Sequence, residues 1–290
     1  MERPADERPR ARWGAPGPMV LAAGAAALAL PTMIDVARIS WSTEQGAHGP
    51  IVLATALWLI SRDLAEVRPL ARPGNLLLAL ALLVPLLVLY AVARLTSTIE
   101  VEGFAMYACL LSAGYAVVGG AVMKRMWFPL LYMLFVFPPP DTLFAMLTQP
   151  LKIAISHWSV SILYALGYPI AGSGVSIQIG QYEMLVAAAC AGLNSMISLT
   201  ALGLFYVYIR HNANWKYMAL LTACILPVAV VANLARVMIL LLITYHFGEA
   251  AGQGFFHEFA GLTMFTVALL GIFALDKLGA PVRRRLEAQS

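Results

Sequence analysis

The chain has 290 residues, of which 61% are hydrophobic and only 12% charged, and its mean hydropathy is +0.79. Soluble domains carry about 25% charged residues, so this composition excludes a sizeable soluble domain and points to a helical bundle in a membrane. The net charge of +4 is scattered between apolar runs rather than gathered in a patch, which argues against a nucleic-acid surface and leaves the cations as topology signals.

Residues 1–17 are polar and are expected to form a disordered cytoplasmic N-terminus. Apolar runs follow at 18–37, 49–62, 74–94, 104–123, 126–138, 193–210, 217–245 and 259–277. The first lacks a convincing cleavage site and reads as an uncleaved span. The second and fifth are short for a bilayer that needs about 20 residues, so they are expected to extend into their flanks or to be partly re-entrant. With the N-terminus inside, every basic residue except Arg38, Arg94, Lys152 and Arg236 falls in an inside segment. That bias puts both termini in the cytoplasm. Residues 18–278 then form a single membrane domain, and 279–290 form a basic cytoplasmic tail.

Residues 139–192 interrupt the pattern. Pro138-Pro139-Pro140 ends the fifth run, because proline cannot continue a helix. The segment LFAMLTQPLKIAISHWSVSILYALG is apolar but carries Gln149, Pro150, Lys152 and His157, and reads as an amphipathic helix at the outer interface. In GSGVSIQIGQYEMLVAAAC, Val175, Ile177 and Ile179 alternate with Ser176 and Gln178, the pattern of a half-buried strand. Two short strands around a turn at Gly180-Gln181 are expected. The expected fold class is therefore an all-α polytopic membrane protein: about eight transmembrane helices, an outer-face amphipathic helix and a small β-hairpin before Cys190.

Three polar residues stand out in this apolar chain. Cys190 follows the hairpin and precedes a run that descends from the outer face. Arg236 lies about 30 Å beyond Lys216 along a helix, roughly the hydrocarbon thickness, and so is expected at the outer interface. His257 follows the outer loop FGEAAGQGFF and opens the last run. All three converge on one membrane face. A thiolate is a competent nucleophile, and a helix N-terminus favours it. Arg236 suits stabilisation of that thiolate or of an oxyanion, and His257 suits proton transfer to a leaving amine. Asn194 or Ser195 would cap the helix after Cys190 or donate to the oxyanion. Asn233 shares a helix face with Arg236. Glu183, on the second strand, is the acidic candidate for orienting a base or binding substrate.

Blander readings stand beside these. A free cysteine is commonly a small buried hydrophobe, an arginine near a helix end snorkels, a boundary histidine is interfacial, and Glu183 is a solvated hairpin charge. His246 competes with His257 for the outer face, whereas His211 is cytoplasmic. Cys109 and Cys224 suggest only packing, with a Cys109–Cys190 disulfide as the alternative that would block the nucleophile. No zinc-like pair of cysteines is present, and neither a metal nor a cofactor is expected.

The hairpin leading into AAACAGLNSM, the segment NLARVMIL, the histidine opening the final run, and FVFPPPDTL with the helix after it carry a resemblance to a known family. Over roughly 105–275 the chain resembles the exosortase/archaeosortase family of membrane transpeptidases. The resemblance matches Cys190 to the family's nucleophile, Arg236 to its essential arginine and His257 to its histidine. Many members read Cys-Ser-Gly where this chain has Cys190-Ala191-Gly192, a departure that removes a hydroxyl near the oxyanion. The resemblance implies protein sorting at the outer face of a bacterial inner membrane. The implied substrates carry a PEP-CTERM-type tail: a Pro-Glu-Pro-like motif, a transmembrane helix and a basic cluster. The enzyme would hold them as a thioester on Cys190 and pass them to an acceptor of lipid or glycan type. Membrane lipids are the other expected partners. Two further readings stay open: a transporter or assembly factor for exopolysaccharide export, with Arg236 binding an anion, and an intramembrane hydrolase that releases its product to water.

Overall fold

The computed structural model describes residues 16–43, 46–185, 191–211, 215–250 and 255–287. It is a helical protein with one small sheet. The first half holds α1 (Pro16–Ile39), α2 (Gly49–Val67), α3 (Leu76–Leu95), α4 (Ile99–Arg125) and α5 (Trp127–Tyr132), the last prolonged by a 3-10 turn over Met133–Val136. The second half holds α6 (Asp141–Ala165), β1 (Ile170–Ser173), β2 (Ser176–Ile179), β3 (Tyr182–Leu185), α7 (Ala191–His211), α8 (Trp215–Phe247), α9 (Phe255–Leu278) and α10 (Ala280–Glu287).

Among the described residues, four helices are long and apolar enough to cross a membrane: Met19–Ile39, Leu76–Leu95, Ile99–Arg125 and Lys216–Phe247. The apolar stretch Trp127–Val136 is shorter. Eight spans were expected from the sequence; four helices reach that length and hydropathy among the described residues. The short second run does extend, through Arg62, Asp63 and Glu66 to Val67, but those charges make its last turns polar. The fifth stops at Val136, just short of the three prolines.

Two apolar cores hold the molecule. The first lies between α1, α2, α4, α5 and the far part of α7. Ring stacking joins α5 to α7: Phe128 lies on Tyr208 at 3.8 Å between centroids and 5° between planes, and Tyr132 lies on Phe205 at 5.9 Å. At the end of this half, the buried Glu102 carboxylate of α4 accepts from Thr32 of α1 at 2.7 Å and pairs with Arg94 of α3. A buried carboxylate needs such partners, and here they tie three helices together.

Within α4, Gly119 adopts φ 77° and ψ 174° and breaks the helix. The carbonyls freed on its N-terminal side do not go unpaired. The Arg72 amide donates to the Val118 oxygen at 3.2 Å, and the Gly74 amide donates to the Ala116 oxygen at 3.1 Å. The loop before α3 thereby satisfies the kink, as buried backbone groups require.

The second core joins α6, the sheet, α7, α8 and α9 around Ile155, Ile177, Ile179, Leu199 and Leu241. The sheet is antiparallel in the order β1-β2-β3, with Ile170 opposite Ile179 and Ile179 opposite Tyr182. It therefore has three strands where two were expected. The additional strand, β1, pairs through a second two-residue turn, Gly174-Val175, which matches Gly180-Gln181. Both turn glycines have positive φ, 61° and 58°, as the first position of a type II′ hairpin requires. The expected alternation holds on β2: Ile177 and Ile179 are fully buried and Gln178 is exposed.

Helix α6 presents one face to this core through Ile155, Ser159 and Leu163, and exposes Met146, Ile153, Trp158 and His157 on the other. At the opposite end of the bundle, the Asp276 carboxylate of α9 is buried. It accepts from the Tyr206 hydroxyl of α7 at 2.6 Å and from the Tyr217 hydroxyl of α8 at 3.0 Å. One side chain thereby fastens α7, α8 and α9.

Candidate active site

Helix α8 runs on from Arg236 to Phe247, about 16 Å further. Arg236 is therefore not at a helix end, as counting from Lys216 suggested, but inside the protein. Its side chain is 4% exposed, and Asn233, one turn earlier, is fully buried. A guanidinium in that position does not snorkel. A cation held inside an apolar bundle is costly and by default marks a functional site.

The sheet sits directly above it. Leu240, one turn beyond Arg236 on the same helix face, is buried against Met184 of β3. Strand side chains alternate between faces, so Glu183 points away from α8. It is exposed and accepts a hydrogen bond from the Ser176 hydroxyl at 2.8 Å. Glu183 thus lies on the face of the sheet opposite Met184.

Beyond β3, Cys190 lies outside the described residues, and α7 begins at Ala191. Asn194 and Ser195 fall within α7, the fourth and fifth residues from its start, so neither stands at the N-cap position expected of them. His257 is the third residue of α9. The side chains of Asn194, Ser195 and His257 lie outside the described residues.

The end of α8 closes on the sheet through aromatic rings. Tyr245 packs edge-on to Tyr168 at 5.5 Å between centroids, and a side chain at Gly180 would lie 3.1 Å from the Tyr245 ring. His246, the rival histidine, lies edge-on to the same Tyr168, whose hydroxyl is 3.5 Å from its Nε2. His246 is exposed and belongs to this clasp, about 15 Å along α8 from Arg236. Among the other histidines, His48 meets the Phe135 carbonyl through Nε2 at 3.1 Å, and His157 is exposed. Cys109 is a free buried thiol, and Cys224 is free and partly buried.

Two buried hydroxyls were not singled out from sequence. Thr244, two turns beyond Arg236, is 1% exposed, and its Oγ1 has no hydrogen-bond partner among the described residues. Ser159 of α6 is buried in the same way. The signal for Thr244 was present in the spacing: Asn233, Arg236, Leu240 and Thr244 recur at three and four residues, which is one stripe of a helix.

These features define a helical membrane protein with a buried arginine beneath a small sheet, the sheet leading to a cysteine. The family model of the transmembrane exosortases (Exosortase_EpsH) matches residues 41–274. The chain belongs to the transmembrane exosortase family, and membership points to a membrane transpeptidase-type role. No curated protein and no solved structure matched it.

Proposed function

We propose that this protein is an exosortase-type cysteine transpeptidase that removes the C-terminal sorting tail of secreted proteins at the outer face of the inner membrane. The observation that carries the reading is the meeting of β3 with α8 one turn above the buried Arg236. From Leu185 to Cys190 the chain reaches at most about 18 Å, and Arg236 is only about 6 Å below Leu240 along α8. These lengths are compatible with Cys190 and Arg236 sharing one site.

In the proposed reaction the Cys190 thiolate attacks the scissile carbonyl, and Arg236 compensates the resulting oxyanion. The C–N bond breaks, the leaving amine takes a proton from His257, and the substrate remains as a thioester. An acceptor nucleophile of lipid or glycan type then gives its proton to His257, attacks the thioester and releases the thiolate. Tailed proteins of PEP-CTERM type are the proposed substrates, and the proposed topology places both termini in the cytoplasm.

The test is co-expression with a tailed substrate. Cys190→Ala is expected to abolish processing while the protein still accumulates in the membrane, and Arg236→Ala is expected to slow processing by on the order of a hundredfold. Normal processing by Cys190→Ala overturns the reading. The product mass separates transfer, with an acceptor attached, from hydrolysis to a free carboxyl terminus.

A further inference from the structure

Helices α8 and α9 leave an apolar groove of about 380 Å³ between them, on the Asp276 side of Arg236. Pro227 and Val231 line one wall, and Val267, Gly271 and Ala274 line the other. Small residues make the room: a Cβ at Gly271 would already lie 3.1 Å from Val228. The groove's lining offers no charge, and its position within two membrane-protein helices turns it toward acyl chains rather than toward a polar ligand.

Each wall ends in an exposed lysine. Lys277 follows Ala274 by three residues and therefore shares its helix face. Lys216 precedes Pro227 by eleven residues, three helical turns, which puts it on the same stripe of α8. Between them on that stripe lies Leu220, an exposed apolar side chain that continues the groove toward the lysine. Nearby, α10 packs against both α8 and α9 and adds the exposed Arg284 and Arg285. The carboxylate at this end, Asp276, is buried, engaged by two tyrosines and paired with Arg283 at 3.9 Å, which leaves Lys216 and Lys277 as exposed cations. An apolar channel that ends in paired cations has the two chemistries of one molecule: a hydrocarbon chain and an anionic headgroup.

We propose that the α8–α9 groove, capped by Lys216 and Lys277, is a binding site for one anionic membrane phospholipid. The acyl chain runs along the groove and the headgroup rests on the two lysines. The proposal needs the chain to be a membrane protein and is independent of the transpeptidase reading. Its readout is lipid binding, so failure of one leaves the other intact.

The experiment is native mass spectrometry of the purified full chain titrated with phosphatidylglycerol or phosphatidylcholine. The wild type is expected to retain one phosphatidylglycerol in preference to phosphatidylcholine. Lys216→Gln with Lys277→Gln is expected to lower retention of phosphatidylglycerol by on the order of tenfold and to leave phosphatidylcholine unchanged. Ala274→Phe, which fills the groove, is expected to lower retention of both lipids. Arg68→Gln with Arg72→Gln, two exposed cations remote in sequence from the groove, is expected to keep the preference. Equal retention of the two lipids by the wild type overturns the proposal. So does an unchanged preference in the lysine variant, or an equal loss in the Arg68/Arg72 variant.

Discussion

On the same α8 stripe as Arg236, Thr244 carries a buried hydroxyl with no partner among the described residues. An unsatisfied buried donor costs about 1–3 kcal/mol, and valine has nearly the same shape without the hydroxyl. Thr244→Val is therefore expected to leave thermal stability in detergent unchanged or to raise it by about 1 kcal/mol. A clear fall in stability would show the hydroxyl to be satisfied in the folded protein. If stability holds while processing of a tailed substrate drops, the hydroxyl serves the substrate rather than the fold. Arg236 stood out in the sequence as a lone cation in VANLARVMILLL, with snorkelling at a helix end as its bland reading. Its depth was not legible. Counting from Lys216 assumed a helix one bilayer long, and α8 continues beyond that length to meet the sheet. Glu183 carried two readings from sequence, a partner for the site and a solvated hairpin charge. Proximity in sequence to Cys190 suggested a shared site, but strand alternation sends Glu183 and Met184 to opposite faces.

Gly119 shows what a helix in a packed bundle demands of one residue. Its φ of 77° with ψ of 174° lies in a region that essentially only glycine enters, at a cost of roughly 1–3 kcal/mol for other residues. A Cβ there would also come within 2.1 Å of the Arg72 carbonyl oxygen, which is backbone and cannot swing aside. Gly119→Ala is expected to lower stability by at least about 2 kcal/mol in thermal or denaturant unfolding. Wild-type stability in that variant would mean that α4 runs unbroken. Apolar periodicity could not reveal this break, because the run 104–123 is continuous in hydropathy and the kink is stabilised by a loop more than 40 residues away in the chain. The sheet gives the opposite lesson. Its second hairpin was legible from Gly180-Gln181 and the alternation after Val175. Its first hairpin had the same Gly-X signal at Gly174-Val175, but IAGS has too little alternation to stand out as a strand.

For the whole molecule, composition was sufficient to establish a helical membrane protein, and the family match agrees. Span number was harder to read, since a run such as 126–138 has the hydropathy of a span while three prolines limit its length. The inside bias of Lys and Arg makes a further prediction about orientation. Alkaline phosphatase inserted at the Gly174-Val175 turn is expected to be active, and the same reporter at the C-terminus is expected to be inactive. The reverse pattern would invert the proposed topology and put the sheet on the cytoplasmic side. Asp276 bears on how such a bundle could work. It clasps α7, α8 and α9 through Tyr206 and Tyr217 at the end remote from the sheet. In mechanical terms it is a pivot with three long arms. A tilt of about 5° about that pivot, carried over an arm of roughly 30 Å, moves the far end by roughly 3 Å. A displacement of that size at the sheet end equals the length of one hydrogen bond.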